Sequence, residues 1–137
     1  MDATRLSFVA VALVCAAFGV FLAVSGRGEA RLSRANADVI AGRNAEALAE
    51  LDGLDGEIDR RAETVRGYAY LASGRPGPAR KALQAAVRRD PNNWVLQRDY
   101  ALVLLRLGDR AKARARMSRA KALNPRMPLP PGFVGGR

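Results

Sequence analysis

Seven carboxylates crowd the stretch from residue 46 to 63 (Glu46, Glu50, Asp52, Asp55, Glu57, Asp59 and Glu63). Such a density can hold a divalent cation. The cluster lacks the ligand order of a calcium loop and its central Gly, so it reads as a solvated helix face. The rest of the catalytic vocabulary is thin. There is no histidine, and the only cysteine, Cys15, sits in an apolar run. Disulfide frameworks, His- or Cys-ligated metals and imidazole catalysis are therefore excluded. No nucleophile stands beside a base, and Gly26-Arg27-Gly28 is too short to cradle a phosphate. These residues describe a protein that is not an enzyme and needs neither cofactor nor metal.

The other residues able to do chemistry are the cations. The net charge is +10, and it is unevenly placed. From Arg27 to Glu63 nine acids face six bases, whereas from Thr64 onward sixteen bases face three acids. Arginine binds carboxylates in bidentate fashion, and a dense basic face also attracts anionic lipid or nucleic acid. Arg114, Arg116, Arg119 and Lys121 form the densest such face. Nucleic acid is disfavoured, because no aromatic stacking residues are interleaved with these cations.

What positions these groups is a repeat. From about Arg60 to Pro125, small and apolar residues return at a spacing of 34: Gly67 with Ala101, Tyr70 with Leu104, Gly74 with Gly108, Ala79 with Ala113, Leu83 with Met117, Ala86 with Ala120, and Pro91 with Pro125. The spacing predicts a helix, a short turn and a second helix, the small residues marking where the two cross. Gly74 and Gly108 end the first helix of each unit, and the prolines close the second. In the last helix Ala113, Met117 and Ala120 fall on one packing stripe. Pro76 and Pro78 suit a helix's first turn, and Asn92 or Asn93, then Asp109, are placed to cap the helices that follow them. A weaker copy lies 32 residues upstream in Ala35, Gly42, Ala47, Leu51 and Leu54, with helices over Glu29 to Ala41 and Asn44 to Leu54, Asn44 being placed to cap the second of these.

Small residues, Tyr, Gly, Ala and terminal Pro in these columns resemble the tetratricopeptide repeat, of the small membrane-anchored bacterial type. The resemblance implies an all-α chain: one N-terminal transmembrane helix followed by a short α-solenoid of two clear repeats and one degenerate one. The expected segments are an anchor over 1–26, a degenerate pair over 27–59, repeats over 60–93 and 94–125, and a Pro/Gly-rich tail over 126–137. It also implies a protein–protein interaction scaffold whose first helices line a groove. By repeat position the groove presents Arg61, Thr64, Tyr68 and Leu71, then Val95, Arg98, Leu102 and Arg106, with Leu32 and Asn36 extending it. Tyr70, Leu83, Leu104 and Met117 take core positions, and Trp94 either joins repeats or meets a partner. A mixed apolar and basic groove suits a partner segment with apolar anchors and a carboxylate. The Lys and Asn clamp that some chaperone adaptors use is not reproduced. The implied role is an adaptor or accessory subunit of a membrane complex in assembly, secretion or envelope biogenesis. The alternatives are a basic module docking on anionic lipid or an acidic partner, and a self-associating structural protein.

Leu6 to Val24 carries no charge, and at 1.5 Å per residue a helix of that length spans about 28 Å, close to the hydrocarbon core of a bilayer. It reads as an uncleaved single-pass anchor in the inner (plasma) membrane, a cleavable signal peptide being the rival. Gly26-Arg27-Gly28 should break the chain between anchor and repeats. In the tail, Met127, Leu129, Phe133 and Val134 are placed to cover the apolar edge of the last repeat, a role otherwise left to a second molecule. The alternative is a disordered tail. Only Arg5 precedes the anchor, while Arg27, Arg31, Arg34 and Arg43 follow it, which favours repeats on the cytoplasmic side. Resemblance to anchored bacterial proteins points the other way, and both placements stay open. On the charge rule, alkaline phosphatase fused to the C-terminus in a bacterial host should be inactive; an active fusion would place the repeats outside.

Overall fold

Three glycines with left-handed backbone turn the chain from the first to the second helix of each helical pair. Gly42, Gly74 and Gly108 have φ of 79°, 69° and 81°, a region that costs any residue with a Cβ. The computed structural model describes residues 26–54 and 56–133, and these contain six helices and no strand. The first, α1, covers residues 26–40. It is followed by α2 (Asn44–Leu51), α3 (Gly56–Ala72), α4 (Pro76–Arg89), α5 (Trp94–Arg106) and α6 (Arg110–Leu123). Helices α1 and α2, α3 and α4, and α5 and α6 are antiparallel hairpins. Successive hairpins stack through α2 on α3 and α4 on α5. The expected anchor, Leu6 to Val24, lies outside the described residues, and no described helix is long and apolar enough to cross a membrane.

Within each hairpin a small residue meets a large one. A Cβ on Gly67 would lie 2.6 Å from Cγ of the fully buried Leu83, so α3 and α4 touch at a point where only hydrogen fits. Repeat-equivalent pairs are buried in the other two hairpins: Ala35 with Leu51, and Ala101 with Met117. The core between the second and third hairpins joins Leu83 and Val87 of α4 to Leu96, Tyr100, Val103 and Leu104 of α5. Each large apolar side chain so buried contributes roughly 1.5–3 kcal/mol. Tyr70, expected in the core, is only half-buried against it, with Arg75 stacked over its ring.

The helix ends follow local chemistry. Asn93 caps α5, its side-chain oxygen accepting from the N–H of Val95 and Leu96 at 3.1 and 3.3 Å. Asp109 caps α6 through the N–H of Lys112 at 3.2 Å, and hydrogen bonds from the Lys112 side chain and backbone hold its carboxyl below the usual carboxylate range. Pro76 and Pro78 sit in the first turn of α4, where their missing N–H groups have no partner to lose.

Three sequence expectations are corrected here. Gly26-Arg27-Gly28 is not a break, since all three residues are helical. Helix α1 packs there against α3, and a Cβ on Gly28 would stand 3.3 Å from Ile58 Cγ1, so the glycine serves close approach rather than a hinge. Asn44 does not cap α2, because it is already the first helical residue. Its amide turns back to the Gly42 carbonyl at 3.3 Å, leaving its side-chain oxygen buried without a partner. The α2 helix also ends at Leu51 rather than Leu54, where Gly53 takes a φ of 66°.

The tail folds back on the last hairpin. Met127 is buried with Ala101, Met117 and Ala120, its carbonyl accepting from Lys121 Nζ at 2.7 Å. Phe133 packs on the same cluster, and Gly132 passes so close to Leu105 that a Cβ would come within 2.9 Å. Val134 lies outside the described residues.

The Gly67 contact gives a direct check. Overpacking costs roughly 1–3 kcal/mol, against about 1 kcal/mol gained from helix propensity when Gly becomes Ala. Gly67→Ala should therefore lose about 1 kcal/mol in urea unfolding, and pairing it with Leu83→Met, which removes the branch at Cγ and leaves a flexible chain that can bend aside, should restore part of the loss. Gly77→Ala, at a helical site open to solvent, should not destabilise.

Candidate functional site

The first helices of the second and third pairs, α3 and α5, meet across one polar linkage set in an apolar surface. The Tyr68 hydroxyl donates to Asp99 Oδ2 at 2.7 Å, and Arg98 Nε donates to Asp99 Oδ1 at 2.7 Å. Asp99 is buried, with 8% of its surface exposed. A carboxylate in that position is stable only when both oxygens are engaged, and here they are. Burial, and then the bond to Asp99, push the Tyr68 phenol well above its ordinary range, so it remains a donor at any physiological pH. The Arg98 guanidinium also lies 5.3 Å from the centre of the Trp94 ring, which holds its remaining length flat along α5.

The residues expected from the sequence to line a groove stand on these same two helices. Thr64, Tyr68 and Leu71 of α3 and Val95, Arg98 and Leu102 of α5 are half-buried, while Arg61 and Arg106 are exposed. Tyr68 and Leu71 also pack on the core between hairpins. Of the mixed apolar and basic character expected, the basic part is mostly paired within the chain. Arg61 is paired with Glu29 of α1, and Arg98 with Asp99. Arg106 alone of the three has no carboxylate partner among the described residues. The surface is thus largely neutral and apolar, with one unpaired cation at its edge.

Asp99 is the functional residue that sequence reasoning missed. Its signal was present: it stands 34 residues after Val65, a buried position of α3, and it is one of only three acids beyond residue 63. An acid in an apolar column implies a partner, but which one depends on helix packing. Gln97 is a second such residue. It is 2% exposed, and its amide donates to the Pro91 carbonyl at 2.8 Å, fixing the turn between repeats. Trp94 is half-buried against the Met117 and Met127 cluster, so it joins the last repeat to the tail.

The four residues of the basic face separate. Arg116 lies 5.4 Å over the Tyr100 ring and donates to Gln97, and Arg119 donates to Asn92 at 2.8 Å. Arg114 and Lys121 instead line a cleft beside the tail.

This stacking of helical hairpins agrees with a family match. Residues 70–128 match the family model described as tetratricopeptide repeat, and this part of the chain is similar to that family. No curated protein matches the chain. Repeats of this family are interaction modules that bind protein partners and are in general not catalytic.

The α3–α5 linkage should be measurable. A hydrogen bond to a charged group contributes about 1.5–3 kcal/mol when its loss strands the charge. Tyr68→Phe should therefore destabilise the protein by about that much in urea unfolding, whereas Tyr70→Phe, whose hydroxyl makes no such bond, should be close to neutral.

Proposed function

We propose that the chain is a membrane-anchored scaffold that holds a segment of another protein in the α3–α5 groove, as adaptor or accessory subunit of a membrane complex. The observation that supports this reading is the Tyr68–Asp99 bond, which joins α3 to α5 across two repeats, with Thr64, Tyr68, Leu71, Val95 and Leu102 half-buried on the same two helices. A surface in which most polar groups are already satisfied within the chain favours a partner that supplies apolar side chains. Arg106, at the edge, suits a single carboxylate on that partner.

The charge-free stretch Leu6 to Val24 supports the anchor, and the arginines that follow it favour repeats facing the cytoplasm. Anchoring raises the effective concentration of the groove toward other membrane-bound chains, so modest affinity suffices for a stable complex.

Purification from the native membrane in mild detergent, followed by mass spectrometry, should recover one protein in fixed proportion. Thr64→Glu with Leu102→Glu, which places charge on the groove floor, should abolish that recovery while the protein stays folded by circular dichroism. Retention of the same partner by this variant would overturn the groove assignment. Extraction of the chain by alkaline carbonate without detergent would overturn the anchor.

A further inference from the structure

The last helix presents a prepared face that the tail covers only in part. Arg114, Met117, Ser118 and Lys121 share one side of α6, and with Leu129 and Phe133 of the tail they line an open cleft of about 450 Å³. The repeat register tells what such a face receives. Thirty-four residues earlier, Arg80, Leu83, Gln84 and Val87 occupy the same positions on α4, and Leu83 and Val87 are buried in one core with Leu96 and Tyr100 of α5. This side of α6 is therefore the side on which a next first helix would lie. Pro128, Pro130 and Pro131 keep the following residues from forming that helix.

One substitution within the register sets the chemistry of an occupant. Where α4 has the buried Val87, α6 has Lys121, and Arg114 stands two turns before it, about 10 Å along the axis. Neither has a carboxylate partner among the described residues. An occupant helix must meet the apolar floor at Met117 and Phe133 and bring acids to its flanks. A second copy of this chain is poorly equipped for that. Six of its acids, Glu29, Asp38, Glu50, Glu57, Asp59 and Glu63, already face arginines of the same chain, and the exposed Glu46, Asp52 and Asp90 do not flank one apolar helix stripe. A flat lipid surface would meet the outward Arg110 and Arg119 as readily as Arg114, and would not reach the floor of a concave cleft.

We propose that the cleft between α6 and the tail docks an amphipathic helix of a different protein, with an apolar stripe flanked by Asp or Glu. The helix lies along α6 where the first helix of another repeat would continue the stack. This site is separate from the α3–α5 groove and stands whether or not that groove is used.

The test uses the full chain in phosphatidylcholine nanodiscs, with empty nanodiscs as blank, titrated with labelled synthetic helices of about 16 residues at roughly 0.15 M salt. A helix with a Leu stripe and Glu flanks should bind about tenfold or more tightly than the same helix with Lys flanks, or with the stripe changed to Ser. Arg114→Glu with Lys121→Glu should weaken it about tenfold, and Arg110→Glu with Arg119→Glu by less than about threefold. An environment-sensitive dye on Ser118→Cys, in a Cys15→Ser background, should shift to the blue on binding. The same dye on Arg110→Cys should not, and this readout needs no charge reversal. Equal loss from both charge pairs, or equal binding of the Ser-striped helix, would reduce the site to general attraction for anions and overturn the proposal. So would displacement of the bound helix by phosphatidylglycerol vesicles or by a DNA oligonucleotide, or a blue shift of the Ser118→Cys dye when the chain alone is concentrated without any helix.

Discussion

The structure depends on how closely the two helices of each hairpin can approach. At Gly67 the distance is set by the absence of one carbon atom opposite Leu83, and every other contact in that hairpin inherits the spacing. Tight crossing brings Ala79, Leu83 and Ala86 of α4 into one layer, and that layer forms the floor on which α5 rests. A stack of hairpins has few contacts between distant parts of the chain, so its integrity is a sum of such local crossings and neighbour interfaces. The end of the stack is consequently the place where apolar surface is left over. Here the tail takes up part of it through Met127 and Phe133.

Charge is distributed by the same one-dimensional logic. The N-terminal half carries the acids, yet Arg34, Arg43, Arg60, Arg61 and Arg66 neutralise most of them within the chain. The bridges are largely exposed and contribute little to stability, but they remove the acids as attractors for the basic half. Beyond residue 63 the described bases with a carboxylate in reach are Arg66, Arg89, Arg98 and Lys112. The surplus cations of α4, α6 and the tail face solvent, so the electrical asymmetry of the sequence becomes sharper in the folded chain. Tyr68, Asp99 and Arg98 show the opposite case. There a charge is taken inside, and it is tolerable because two donors from two repeats meet it.

How far the sequence could be read follows from the range of each interaction. Helix limits, turns and caps are set by residues within four positions of one another, and Gly74, Gly108, Pro76, Asn93 and Asp109 announce them by type alone. The 34-residue spacing extends that reach to the pairing of helices, since a recurring small residue implies a recurring crossing. In one place where the local signal misled, a distant contact had overridden it. Gly26-Arg27-Gly28 reads as a hinge in sequence, but Gly28 meets Ile58 of α3, and a glycine needed for packing looks the same as one needed for flexibility. The groove residues were legible as positions, while their electrostatic character was not. Arg61 and Arg98 are cations in the sequence and members of neutral pairs in the fold.

By itself, then, the sequence determined the architecture: an all-helical repeat without the residues for imidazole, thiolate or disulfide chemistry, preceded by a charge-free stretch of membrane-spanning length. Those properties depend on composition and short-range spacing, which a chain carries whatever its tertiary arrangement. Only the tertiary structure decided which charges remain available. Glu29 to Arg61 and Tyr68 to Asp99 span about 30 residues of chain, and an ion pair or hydrogen bond exists only when packing closes that separation to contact distance. The same holds for the cleft at α6, whose second wall exists only because the tail turns back beside the helix.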